Sequence, residues 1–147
     1  MKIAIGSDHG AVELKDAVKK VLAELGVEVN DVGTSGAAAV DYPDIAEKVC
    51  AEVVGGAAER GIVLCGTGIG ISIAANKVKG IRAACCTDYF SAKYTRMHND
   101  ANALCLGARV IGPGAAIELV NVFLNTEFEG GRHQRRVDQI TEIENMQ

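Results

Sequence analysis

Cys65 closes an apolar run, Gly61-Ile62-Val63-Leu64-Cys65, and a glycine turn, Gly66-Thr67-Gly68-Ile69-Gly70, follows at once. A strand that stops at such a turn and enters a helix leaves several backbone N–H groups aimed at one spot, beside the positive end of the helix dipole. Negative oxygen is stabilised there. A thiol at a helix N-terminus gives up its proton more readily than a free one. The pattern predicts a thiolate base, Cys65, facing a hole for an oxyanion built from the backbone N–H groups of this turn. The Thr67 hydroxyl either joins those donors or satisfies the turn itself. A rival reading is the dinucleotide fingerprint, with Asp88 after the next strand as the ribose-binding carboxylate. The spacing here is GxGxG rather than GxGxxG, and the helix that follows is short.

Two of the three histidines lie in polar clusters, Ser7-Asp8-His9-Gly10 and Met97-His98-Asn99-Asp100. Histidine is the side chain best suited to moving protons near neutral pH. Arg132 and Arg136, four apart in Gly130-Gly131-Arg132-His133-Gln134-Arg135-Arg136, put two guanidinium groups on one helix face. That spacing can grip a phosphate. Positive charge in a first helical turn opposes the dipole, which favours a ligand-holding role over a merely solvated one. Cys50, Cys85, Cys86 and Cys105 read as small buried hydrophobes. No zinc spacing, HExxH or P-loop occurs, and the histidines are too scattered to suggest a metal cluster.

The elements that must carry these residues alternate between strand and helix. Strands are expected at residues 2–6, 27–32, 61–65, 81–86 and 102–106. Helices are expected over the apolar positions Leu14, Val18, Val21, Leu22 and Leu25, from Pro43 to residue 55, and at 70–77, 88–98, 115–124 and 132–146. This order implies right-handed βαβ units: an α/β fold with a five-stranded parallel sheet between two helical layers. Ligands in such sheets bind beyond the carboxyl ends of the strands, so Asp8-His9 and Cys65-Gly66-Thr67 should share one rim. The last helix has only Val137, Ile140 and Ile143 as an apolar stripe, and it is expected to lie across a neighbouring subunit.

At 147 residues the chain fits a single domain, residues 1–147, with enough length to bury a full core. Five cysteines make no even framework, and the opening MKIAIGSDHG reads as a first strand rather than a signal peptide. A reducing cytoplasm is therefore expected. A formal charge of −4 gives no support to nucleic-acid binding, and no apolar run is long enough to span a membrane.

Five segments together resemble one family: GSDHG at 6–10, VDYPD at 40–44, LCGTGIGISIAANK at 64–77, HNDAN at 98–102 and EGGRHQRRV at 129–137. They look like the ribose-5-phosphate isomerase B group of sugar-phosphate isomerases. The resemblance implies a Rossmann-like homodimer, sometimes paired into tetramers, that works without cofactor or metal. It implies interconversion of D-ribose 5-phosphate and D-ribulose 5-phosphate, with a six-carbon sugar 6-phosphate as the alternative substrate. Cys65 would then move the proton between C1 and C2. Thr67 and the amides of Gly66–Gly70 would hold the enediolate oxygens. His98 would open the furanose ring, with Asp8 and Tyr42 nearby. His9, Arg132 and Arg136 would bind phosphate, and Asn99 and Arg109 would complete the sugar site. Some members use a glutamate just after the glycine turn; that position is Ile71 here, so the chain follows the cysteine type. From a different class, a nucleotide-binding module without catalysis remains open.

Overall fold

The computed structural model describes residues 1–147. Five strands, β1 (Lys2–Ser7), β2 (Glu28–Asp31), β3 (Arg60–Cys65), β4 (Ala83–Cys85) and β5 (Ala103–Gly107), form one sheet in the order β2-β1-β3-β5-β4. All neighbouring strands are parallel. Six helices surround them: α1 (Val12–Glu24), α2 (Tyr42–Val54), α3 (Ile69–Ala75), α4 (Tyr89–Asn99), α5 (Pro113–Asn125) and α6 (Arg132–Asn145). The expected Rossmann-like, three-layer α/β architecture is the one observed.

Side chains alternate across each strand and so feed two cores. Ile3, Ile5, Ile62, Leu64, Leu104 and Leu106 meet Leu14, Val18 and Leu22 of α1 and Leu119 and Phe123 of α5. On the other face, Ala4, Val63, Cys65, Ala103 and Cys105 meet Ile45 and Val49 of α2 and Ile71 and Ala75 of α3. Two buried cations brace the first layer. Arg60 donates to the carbonyls of Phe123 and Leu124, and Arg96 donates to the Ala101 carbonyl.

The chain steps outward from β1 to β2 and then returns to place β3 on β1's other side. Helices therefore leave opposite faces at the boundary between β1 and β3, which opens a crevice at their carboxyl ends. Asp8 and Gly66, the residues after those two strands, flank it.

Several elements differ from expectation at their ends. β4 covers only Ala83–Cys85 instead of residues 81–86. It is an edge strand, paired with β5 alone, and the Ile81 amide turns back onto the Val78 carbonyl. Cys85 on this edge is exposed, not buried as expected, whereas Cys50, Cys86 and Cys105 are buried. α3 stops at Ala75, because the Asn76 side chain both donates to the Ala83 carbonyl and accepts from its N–H. In α6, His133 and Val137 are buried, while Ile140 and Ile143 are exposed.

Candidate active site

Cys65 ends β3 with its side chain on the α2–α3 face, 4% exposed. Its Sγ accepts the N–H of Gly68 at 3.1 Å. Gly68 has φ +78, a left-handed conformation that β-carbons resist. A Cβ there would also stand 2.9 Å from the Leu106 backbone, so glycine is required for the turn to close. The Ile69 N–H donates to Thr67 Oγ1 at 3.2 Å. The amides of Gly66, Thr67, Gly70 and Ile71 donate to no group of the chain. The donors of this turn thus divide: Gly68 orients the sulfur, Ile69 orients the hydroxyl, and four stay uncommitted, of which Gly66, Thr67 and Gly70 are at least partly exposed and Ile71 is fully buried.

The other rim residues gather around this turn. Asp8 is buried, and its Oδ1 accepts from Gly10 N–H at 2.9 Å. Beside it Ser7 is fully buried, and its Oγ has no partner. Arg109 follows β5, donates its N–H to the Gly66 carbonyl at 2.9 Å, and lays its guanidinium 3.5 Å from where a Gly66 Cβ would be. A Cβ at Gly10 would lie 3.3 Å from Asp8 Oδ1 and 4.0 Å from Arg109 Nη2. Tyr42, at the start of α2, covers Gly70 so closely that a Cβ there would be 2.7 Å from its ring. Exposed His9 accepts the Val40 N–H on Nδ1 at 3.2 Å, which ties it to the loop of small residues.

The remaining candidates lie elsewhere. α4 begins beyond the carboxyl end of β4 and runs back along the sheet, so His98 and Asn99 in its last turn reach the amino ends of the strands. Arg82, just before β4, donates to the Asn99 and Asp100 carbonyls and confirms that location. α6 packs beside α4 and brings Arg132 and Arg136 to the same corner, both exposed. A single chain therefore unites Asp8, His9, Tyr42, Cys65, the glycine turn and Arg109, but not His98, Asn99, Arg132 or Arg136.

That second corner holds residues that the sequence reading passed over. The rings of His98 and His133 stack at 4.1 Å with an interplanar angle of 11°. Glu129 Oε2 lies 3.3 Å from His133 Nε2 and 3.9 Å from His98 Nε2. The four-residue interval from Glu129 to His133 was the available signal. Burial, then the His98 ring and Arg132, lowers the His133 pKa, with Glu129 opposing. These three ligand atoms lie within 4.8 Å of one another. Nearly parallel ring planes cannot both contain one ion, however, and a metal–imidazole bond lies close to the ring plane, so this arrangement suits a metal poorly.

Lys15 was also missed, although it falls on the core-facing side of α1 between Leu14 and Val18. It is fully buried, with Nζ 2.9 Å from Asp31 Oδ2 and a further bond to the Thr34 carbonyl, and it fixes the loop that reaches His9. Burial by itself would raise the Asp31 pKa; hydrogen bonds from Lys19, Lys15 and the Gly33 N–H outweigh it and lower the value. Among the other thiols, burial pushes Cys50 up to about 11 and Cys86 up to about 12.

Asp88 is not free for a ribose. Its two oxygens cap α4 by accepting from Ser91 N–H at 2.7 Å and Ser91 Oγ at 2.8 Å. Without that carboxylate, the dinucleotide reading loses its main support. A doubly wound sheet with a thiol, a carboxylate and free amides at its switch point fits an enzyme that moves a proton next to a carbonyl.

Comparison with known proteins narrows the class. The ribose/galactose isomerase family model matches residues 3–140. Ribose-5-phosphate isomerase B of Escherichia coli is 50% identical over 143 residues, covering 97% of this chain and 96% of that one. The solved ribose-5-phosphate isomerase B of Clostridium thermocellum superimposes with a TM-score of 0.98 at 55% identity, over 99% of both chains. That of Mycoplasma genitalium, solved with bound ribulose 5-phosphate, gives 0.95 at 40% identity, over 99% of this chain and 97% of that one. The chain belongs to the ribose/galactose isomerase family. No helix is long and apolar enough to cross a membrane.

Proposed function

We propose that this chain is a ribose-5-phosphate isomerase in which Cys65 is the base and a second copy of the chain completes each site. The carrying observation is the Cys65 sulfur at the carboxyl end of β3, held by Gly68 N–H beside four uncommitted amides. In the open-chain aldose, Sγ takes the proton from C2, and negative charge develops on O1. The hydroxyl proton of O2 passes to O1, which moves the charge to O2, and return of the Sγ proton to C1 then yields the ketose with its carbonyl at C2. A proton next to a carbonyl is too weakly acidic to leave unless that oxyanion is stabilised. One well-placed donor in such a hole is worth about 10²–10³ in rate, and a positioned base contributes about 10²–10⁴. Gly66, Thr67 and Gly70 are the candidate amide donors, with the Thr67 hydroxyl beside them.

Ribose 5-phosphate enters mainly as a furanose, so its ring must open first. His98 gives a proton to O4 as the C1–O4 bond breaks. Asp8 takes the proton of the C1 hydroxyl, and the carbonyl forms at C1, with Tyr42 alongside. His9, Arg132 and Arg136 hold the phosphate, which registers the sugar against the sulfur. Asn99 and Arg109 contact the hydroxyls. Because α4 carries His98, and α6 Arg132 and Arg136, away from their own chain's rim, they act on the rim of a partner. This makes the working unit a homodimer, which can pair further into a tetramer. Free thiols and a sugar-phosphate substrate fit a cytoplasmic enzyme of pentose phosphate metabolism.

The test is ketose formation from a panel of pentose 5-phosphates and hexose 6-phosphates. Ribose 5-phosphate is expected to be turned over fastest. A faster hexose 6-phosphate would shift the assignment to the six-carbon alternative, for which the small exposed side chains of residues 35–39 leave room. Cys65→Ala should nearly abolish turnover without altering the circular dichroism spectrum or the melting temperature by more than a few degrees. Full activity in that variant removes the thiol from the mechanism.

A further inference from the structure

The corner that carries His98 contains more than a ring-opening imidazole, and this inference rests on the isomerase reading above. His98 is only partly covered: 36% of its side chain is exposed. A long-range proton donor needs a fixed ring plane and a fixed nitrogen, and an exposed histidine at a helix end has neither by itself. Three neighbours remove that freedom. The Tyr94 ring meets His98 edge-on at 4.9 Å, one turn earlier on α4. The His133 ring covers its face at 4.1 Å and is itself locked, 8% exposed, in the first turn of α6. The Glu129 carboxylate stands at the Nε2 edges of both rings. Backbone bonds anchor this wall: Glu129 N–H donates to the Met97 carbonyl at 3.1 Å, and His133 N–H donates to the Gly130 carbonyl at 3.1 Å.

We propose that Glu129 and His133 are positioning residues for ring opening, holding the His98 imidazole in one plane with one nitrogen turned toward Glu129 and the other left for the sugar ring oxygen. Neither residue touches substrate. Their contribution is confined to the step that breaks C1–O4, places a proton on O4 and removes the proton of the C1 hydroxyl. Burial, then His98 and Arg132, disfavours the charged form of His133, which suits a ring that serves as packing.

The two halves of the reaction can be read separately, because ribulose 5-phosphate has no furanose form. Its O5 carries the phosphate, and O4 is too close to C2 to close a five-membered ring. Exchange of its C1 hydrogen with solvent deuterium therefore reports proton transfer at Cys65 without ring opening. For Glu129→Gln and for His133→Asn, turnover of ribose 5-phosphate is expected to fall at least tenfold, while exchange into ribulose 5-phosphate stays within about twofold of wild type. His133→Phe, which restores a flat ring against His98, should recover part of the turnover lost in His133→Asn. Parallel loss in both readouts, loss confined to exchange, or no loss of turnover would overturn the proposal. Should the unmodified protein fail to isomerise ribose 5-phosphate at all, it is the isomerase reading that fails. The exposed Glu129 tolerates substitution, so Glu129→Gln carries the test even if a change at buried His133 impairs folding.

Discussion

Two inactive variants, Cys65→Ala and His98→Asn, are expected to regain activity when their subunits are mixed. The reason is the direction of α4. Cys65 sits at the carboxyl end of β3, and α4 starts beyond the carboxyl end of β4 before running back for 11 residues. At 1.5 Å per residue that is about 16 Å, the depth of the sheet. Cys65 and His98 of one chain thus lie at opposite ends of the strands. In the proposed two-fold dimer, each site would take the sulfur from one chain and the imidazole from the other. A hybrid dimer then contains one site with both native side chains and one with both substitutions. Random exchange at equal concentration makes about half of the dimers hybrid, so about one quarter of wild-type turnover per subunit should return. Each parent alone should be reduced by about 10² or more, the usual size of a lost acid–base group. Co-refolding the variants, counting hybrids by native mass spectrometry and measuring ribulose 5-phosphate formation completes the assay. Hybrid dimers that form in the expected fraction yet work no faster than their parents would refute the shared site.

Other substitutions probe the remaining parts. Arg132→Ala should raise KM for ribose 5-phosphate at least tenfold and leave KM for unphosphorylated ribose nearly unchanged, as steady-state kinetics can measure; equal effects would remove the phosphate assignment. Cys85→Ser should leave turnover within about twofold of wild type, because no N–H orients that thiol and desolvation by its neighbours, then nearby Cys65, raises its pKa. Lys15→Met should cost about 2–3 kcal/mol at neutral pH, below the usual loss for a broken buried pair because Lys19 still holds Asp31 at 2.7 Å. The lowered Asp31 pKa gives a sign: its stabilisation is present above the unfolded-state value and disappears as pH falls through the native one. Urea melts of wild type and Lys15→Met should therefore converge in acid, and a gap that widens there would contradict the pairing.

Local pattern in the sequence carried much of the architecture. An apolar run stopped by glycines marks β3, and helical spacing from Leu14 to Leu22 marks α1, since each depends on neighbours within a few residues. Cys65 and its turn were legible for the same reason. The edge position of β4 was not, because strand order is decided by pairings between distant segments; the exposure of Cys85 followed from that order. Lys15 looked like an interruption of an apolar stripe until Asp31 and Thr34 arrived from the next strand and loop. The sequence also put His98 near the end of a helix, which is correct, but only the return direction of α4 reveals that this takes it away from Cys65. Sequence placed Arg132 and Arg136 on one face without indicating which rim that face would meet.

The two ends of the molecule are incomplete in opposite senses. At the rim, four amides point at no acceptor, and the basic groups nearby are His9 and Arg109. At the far corner, Arg132 and Arg136 pair with no carboxylate of their own chain and occupy the start of a helix, where the dipole opposes them. A phosphorylated enediolate carries negative charge at both ends. The rim amides suit the end where charge develops during reaction, and the paired guanidinium groups suit the end where charge is permanent. A net charge of −4 offers no general attraction for such a substrate, which leaves that task to local groups. In the proposed site both sets are needed, and one chain holds them at opposite ends of its strands. Two-fold association is the simplest operation that brings a rim to a corner twice over, and it leaves Ile140 and Ile143, exposed beside those arginines at 46% and 55%, available for the contact.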